Sequence, residues 1–154
     1  MSLFENQQEI NLRVCGEMIE TVLASAGVDP IASRIPSDDG ESAWGLARGS
    51  ARVYIFLSAG DDGHNFVQVV APVMRPAPEA RERLFGHLLS LNANELTGAA
   101  FGLRSEDVVL TSDRSTAGLD RVEVEEMIRR IGEYADHFDD RLVAEFGGTR
   151  HSDL

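Results

Sequence analysis

Residues 78–110, PEARERLFGHLLSLNANELTGAAFGLRSEDVVL, carry the reading that decides the fold. Pro78 suits the first turn of a helix, where its missing N–H leaves no bond unmade. Behind it Leu84, Leu88 and Leu91 form one apolar stripe, and Phe85 with Leu89 forms a neighbouring one. Two stripes on so short a helix cover more than one flank. That fits a helix wedged between its own sheet and a second surface, such as a twin subunit. Asn92 and Asn94 read as its stop. Residues 98–103 and 107–111 then read as strands joined by the polar turn Arg104-Ser105-Glu106. Together they make a short antiparallel hairpin that buries Phe101, Leu103, Val108 and Leu110.

Working back from this stretch, residues 4–26 repeat apolar side chains at helical spacing. Leu12, Cys15, Ile19, Val22, Leu23 and Ala26 share a face, and Gly27 supplies a C-terminal stop. Val14 and Met18 spill onto the flank, either as a wide core face or as a contact with a second subunit or partner. Residues 28–41 hold Pro30, Pro36, Gly40 and the run Ser37-Asp38-Asp39, which predict a loop, with a short strand at 31–35 allowed. Three strands follow: 42–48 with Trp44 and Leu46, 52–58 with the β-branched and aromatic run Val53 to Leu57, and 64–74. Gly49-Ser50 is a two-residue hairpin turn. Pro72 donates no ladder bond, so the third strand is expected to fray or to lie at an edge there.

Working forward, Asp120 and Glu123 form a capping-box pair before a long helix. Val124, Ile128, Ile131, Ala135, Phe138, Leu142 and Phe146 recur in it at steps of three and four, and Gly147-Gly148 ends it. Runs of antiparallel strands separated by helices argue an α+β fold, an antiparallel sheet of about five strands in the order α-β-β-β-α-β-β-α. Without repeats or a linker, residues 1–148 are expected to form one domain, followed by a flexible polar tail, 149–154.

The chain has 154 residues with a formal charge of −12 at pH 7, and all 14 basic residues are Arg. An acidic surface repels phosphate backbones, so direct nucleic-acid binding is not expected, whereas encounter with a basic partner is favoured. The lone Cys15 allows neither an intramolecular disulfide nor a cysteine zinc site. The start, MSLFENQQEI, lacks the basic and apolar regions of a secretory signal, and no apolar run approaches the roughly 20 residues that span a bilayer. A cytoplasmic location, without membrane association, is the simplest expectation.

Chemistry is sparse. His137 lies among Glu133, Asp136, Asp140 and Arg141, and the i,i+4 spacing of Glu133 and His137 could bring ligands for a divalent metal together. The HExxH order is missing, so a solvated set of ion pairs is the stronger reading. Asp61, Gly63 and Asn65 imitate the start of a calcium loop, but Phe66 and Pro72 stand where its glycine and bidentate glutamate belong. There is no G-x-S-x-G elbow, and residues 45–49 lack the Lys of a phosphate loop.

The order of elements resembles that of the YbjN-type bacterial proteins, described as sensory transduction regulators. The resemblance rests on Trp44 followed by the strand Val53 to Leu57, and on Leu88-Leu89-Ser90-Leu91-Asn92. It continues in Gly98-Ala99-Ala100-Phe101-Gly102-Leu103, Val108-Val109-Leu110, and Tyr134-Ala135-Asp136 before Phe146-Gly147-Gly148. It implies a fold similar to that of type III secretion chaperones, no enzymatic activity and no cofactor. It also implies a homodimer that binds another protein.

Residues 52–57 carry apolar side chains on both faces, so Tyr54, Phe56 and Trp44 are expected on a face that the helices do not cover. Either a partner or the loop 28–41 must cover them. Partner or dimer contacts are therefore expected at Val14, Met18, Trp44, Tyr54, Phe56, Phe85 and Leu89, with no catalytic, cofactor or metal residues. The function expected is a chaperone-like or regulatory protein-binding module. The alternatives are an acidic regulator of a basic nucleic-acid-binding protein and a metal-assisted hydrolase built on His137.

Overall fold

The strand Ala51–Ala59 shows how the sheet is made: Val53, Ile55 and Leu57 are fully buried, whereas Tyr54, Phe56 and Ser58 between them are only half-buried. Side chains alternate across a strand, so one face of the sheet is core and the other is partly open. The computed structural model describes residues 3–38 and 40–154, with side chains from Gln7 onward. Readings made for Met1, Ser2 and Asp39 lie outside these residues.

The elements are α1 (Leu3–Ser25), β1 (Arg34–Ile35), β2 (Glu41–Arg48), β3 (Ala51–Ala59), β4 (Asn65–Arg75), α2 (Arg81–Asn94), β5 (Ala100–Arg104), β6 (Asp107–Ser115), α3 (Arg121–Phe146) and β7 (Thr149–Arg150). Among the described residues the sheet has seven strands in the order β1-β2-β3-β4-β6-β5, with β7 on β4. The expected α+β architecture is present. The two strands beyond the expected five are two-residue pieces, β1 on Ala43 and Trp44, and β7 on Met74 and Arg75.

The chain packs as two compact units. One runs to Leu46 and includes Tyr54–Val69 and Asp113–Ile128; the other comprises Ala47–Val53, Val70–Ser112 and Arg129–Leu154. In the first, Cys15, Ile19, Val22 and Leu23 make the buried face of α1, and Gly16 brings the helix close to Leu57 and Trp44. The α3 N-terminus closes the anticipated capping box: Asp120 N–H donates to Glu123 Oε2 (3.0 Å) and Glu123 N–H to Asp120 Oδ1 (2.8 Å). In the second unit, Leu84, Leu88 and Leu91 are the buried stripe of α2, and Phe101 meets Phe138 of α3 edge-on at 5.4 Å. All seven periodic apolar residues of α3 are buried, as their spacing of three and four predicts.

Four expectations change. Leu103 is not part of the buried set of the hairpin: β5 is an edge strand whose burial ends at Phe101, and Leu103 is 52% exposed. Pro72 neither frays β4 nor puts it at an edge, because β4 lies between β3 and β6 and runs on to Arg75, where β7 pairs with it. Asn92 is not a helix stop, since α2 continues to Asn94 and the Asn92 amide is used elsewhere. Residues 149–154 are not a loose tail: after Thr149–Arg150 pairs with β4, His151–Asp153 form a 3-10 turn. Arg150 fixes this end, holding Asp153 at 2.9 Å and Asp140 at 2.6 Å.

Candidate functional site

The surface between α1 and the β1–β2 edge begins with a glutamate. Glu20 Oε1 accepts from Arg34 Nε and Nη2, both at 2.6 Å, and from Trp44 Nε1 at 3.2 Å. The Arg34 hydrogen bond, more than any other influence, holds the Glu20 carboxyl below its ordinary range, with burial opposing it. Because Gly16 has no side chain, a depression of about 470 Å³ opens here, lined by Leu12, Gly16, Arg34, Ile35 and Trp44 among others. Trp44 is only 3% exposed and lies under α1, not beside Tyr54 and Phe56 as expected. The reason is register: a one-residue step in a strand moves a side chain to the opposite face.

The opposite face is aromatic. Tyr54 and Phe56 stack with centroids 6.5 Å apart, and Phe66 of β4 is 39% exposed. A side chain at Gly45 would run into Ile35 Cδ1 and the Tyr54 ring, so Ile35 lies over this part of the face. The loop 28–41 thus supplies some cover, and it leaves a depression of about 350 Å³ bordered by Phe56, Ala43 and residues 35–38. Of the α1 flank residues, Val14 is 46% exposed and Met18 half-buried.

In the second unit, α2 turns Leu89 to solvent at 69% exposure, with Phe85 half-buried beside it. The β2–β3 turn is tied to α3 by carboxylates: Ser50 N–H and Oγ–H reach Asp136 Oδ1 at 3.1 and 2.8 Å, and the same hydroxyl reaches Asp139 Oδ2 at 2.7 Å. One hydroxyl proton serves two carboxylates, of which Asp139 is buried. The Ser50 bonds lower the Asp136 pKa below its ordinary 3.8. A depressed folded pKa means stability that is present above the unfolded value and lost as pH falls through the folded one. Ser50→Ala is therefore expected to be less stable than the wild type at pH 7. The gap should narrow between pH 4 and pH 2, as read by urea unfolding at each pH.

Of the carboxylates around His137, Asp136 is taken by Ser50 and the other two by arginines. Glu133 pairs with Arg129 (2.8 Å) and Arg48 (3.9 Å), and Asp140 with Arg150. His137 itself packs edge-on to Phe138 at 4.8 Å. Among the described residues no group of three or more His, Cys, Asp or Glu side chains is placed to hold a metal ion.

Sequence reasoning missed a buried polar cluster. Asn11 Oδ1 accepts from Asn65 Nδ2 (2.8 Å), Thr116 Oγ1 (2.8 Å) and Cys15 Sγ (3.8 Å), while Asn65 Nδ2 also reaches Gln8 O (3.1 Å). Burial pushes the Cys15 thiol up in pKa, with the Thr116 hydrogen bond opposing, which keeps the sulfur protonated and unreactive. Nothing in local spacing marks these residues, since they come from α1, the start of β4 and the segment after β6.

Residues 16–144 match the model of the family YbjN, described as "Putative bacterial sensory transduction regulator". Two solved structures are similar. A chain of the ExsC–ExsE complex matches with a TM-score of 0.58 at 14% identity, covering 92% of this chain and 97% of that one. A chain of the HopA1–SchA chaperone–effector complex matches with a TM-score of 0.57 at 14% identity, covering 86% and 97%. These likenesses are of fold, and they agree with the chaperone-like architecture that the family resemblance implies. No curated protein matches the chain. Among the described residues, no helix is long and apolar enough to cross a membrane.

Proposed function

This chain belongs to the YbjN family, and we propose that within it the protein is a non-catalytic, homodimeric protein-binding module, chaperone-like or regulatory in role. The observation that carries this reading is that each unit of a chaperone-like fold leaves an apolar patch partly open, Tyr54 and Phe56 on the sheet in one and Leu89 on α2 in the other. Exposed aromatic and aliphatic patches of this kind gain most from covering by another chain. Leu89 and Phe85 are assigned to the twin subunit; Tyr54 and Phe56, with Val14 and Met18, are assigned to the partner protein. Trp44 is given no contact of its own, because burial leaves it little to offer. The proposal takes residues 1–148, with β7 paired onto β4, as one working domain, cytoplasmic and without cofactor.

Light scattering is expected to give twice the monomer mass for the wild type and the monomer mass for Leu89→Arg. Tyr54→Arg/Phe56→Arg is expected to keep the dimer while losing at least tenfold in partner capture from a bacterial lysate, in line with about 1–2 kcal/mol per truncated interface aromatic. A monomeric wild type that captures nothing overturns the reading.

The charge of −12 favours a narrower second reading, in which the partner is a basic, nucleic-acid-binding protein. Capture should then weaken steeply between 50 mM and 500 mM salt; capture indifferent to salt removes this reading.

A further inference from the structure

β5 ends the sheet, so one of its sides has no strand beside it. Unpaired strand edges recruit other strands, and proteins commonly guard them with charge, proline or a bulge. Within β5 only the last residue, Arg104 at the turn, carries charge, and no proline interrupts residues 100–104. What stands at this edge instead is a side chain of α2. Phe101 N–H donates to Asn92 Oδ1 at 2.7 Å, and Asn92 Nδ2 donates to Phe101 O at 3.1 Å. The amide thus makes the same reciprocal pair of bonds that a neighbouring strand would make.

The geometry of the hairpin says what lies beyond. Phe101 stands opposite Leu110 and Leu103 opposite Val108, with Gly102 opposite Val109 between them. Because both backbone groups of Phe101 go to Asn92, Phe101 and Leu110 form a pair that is not hydrogen-bonded. Such pairs alternate along an antiparallel ladder, so Leu103 also turns its N–H and C=O away from β6. Its side chain is 52% exposed, and space around Gly102 is open.

This edge is complementary to itself. Setting a second β5 antiparallel about a two-fold axis at Gly102 places Phe101 of each copy opposite Leu103 of the other. Both are outward-facing residues, so four backbone hydrogen bonds result, and the two glycines meet where the strands come closest. Arg104 would face Ala100, so no like charges oppose each other. We propose that Asn92 is a plug that holds this edge shut against strand addition by a second copy of the chain.

The test is the mass of Asn92→Ala relative to wild type by light scattering across a concentration series. The expected result is a doubling of whatever mass the wild type shows, reversed in Asn92→Ala/Leu103→Pro. That proline removes the outward N–H without touching the pairing with β6. Reading a ratio keeps this outcome separate from the homodimer proposed above, which uses α2. Hydrogen exchange of the unaltered chain provides a second readout, with Phe101 N–H expected to exchange at least tenfold more slowly than Leu103 N–H. An Asn92→Ala variant with native circular dichroism and wild-type mass throughout overturns the proposal. So does doubling that Leu103→Pro leaves in place, and so does rapid exchange at Phe101. Should Asn92→Ala fail to fold, the exchange result decides alone.

Discussion

Trp44→Ala is expected to lower folding stability by about 3–5 kcal/mol, as large-to-small changes at buried aromatics do. The indole is 3% exposed, lies against α1 where Gly16 lets the helix approach, and ends in a hydrogen bond from Nε1 to Glu20. For a chain of this size the loss corresponds to a fall in Tm of roughly 6–20 °C. Trp44→Phe keeps most of the apolar surface but leaves Glu20 with Arg34 alone, and should cost about 1–2 kcal/mol. Thermal and urea unfolding of the three proteins check both values. A Trp44→Ala protein as stable as wild type would mean that the ring sits at a surface after all, and would return it to the set of partner contacts.

Gly148→Ala is expected to cost about 3 kcal/mol or more, equivalent to a Tm lower by roughly 6–12 °C. Gly148 has φ 86°, a conformation that an L side chain adopts only with strain. Its missing Cβ also faces the Arg75 carbonyl oxygen and Ala77 N at the end of β4. Backbone atoms there cannot swing aside as a flexible side chain can, so alanine must push β7 off its pair. Gly147 is the internal control: φ is 73°, but its nearest neighbour is Ala77 Cβ at 3.7 Å. Gly147→Ala should therefore cost only the conformational part, about 1–2 kcal/mol. Equal effects at the two positions would show that the close approach to β4 contributes nothing.

What could be read from the sequence follows from how each signal arises. The α3 helix was legible because its apolar residues keep one period for seven repeats behind a capping pair, both of which are local properties. The hairpin of β5 and β6 was legible for a similar reason, the polar stretch Arg104-Ser105-Glu106 between apolar runs, although Arg104 itself pairs with Asp107 and leaves a turn of two residues. Trp44 was placed on the wrong face because β2 alternates it with Ala43, Gly45 and Ala47, which are too small to say which side is core. β3 gave no help, since Val53, Ile55 and Leu57 are no more apolar than the Tyr54 and Phe56 between them. β7 was invisible because two polar residues make a strand only when a distant partner supplies the bonds. The cluster of Asn11, Asn65 and Thr116 was hidden likewise, being spread over more than a hundred positions. Of the candidate surfaces, Leu89 could be found because a second apolar stripe on a short helix is unusual. The Asn92 plug could not, since an asparagine near the end of a helix reads as its stop.

The pairing of Met74 and Arg75 with Thr149–Arg150 has a consequence for biosynthesis. Chains emerge from the ribosome in order, and β4 is complete long before residue 150 has been polymerised. Until then the backbone groups of Met74 and Arg75 that face β7 wait without that partner. A nascent chain stalled before residue 149 would display those groups, and it is the species for which a holding chaperone or a protease would compete.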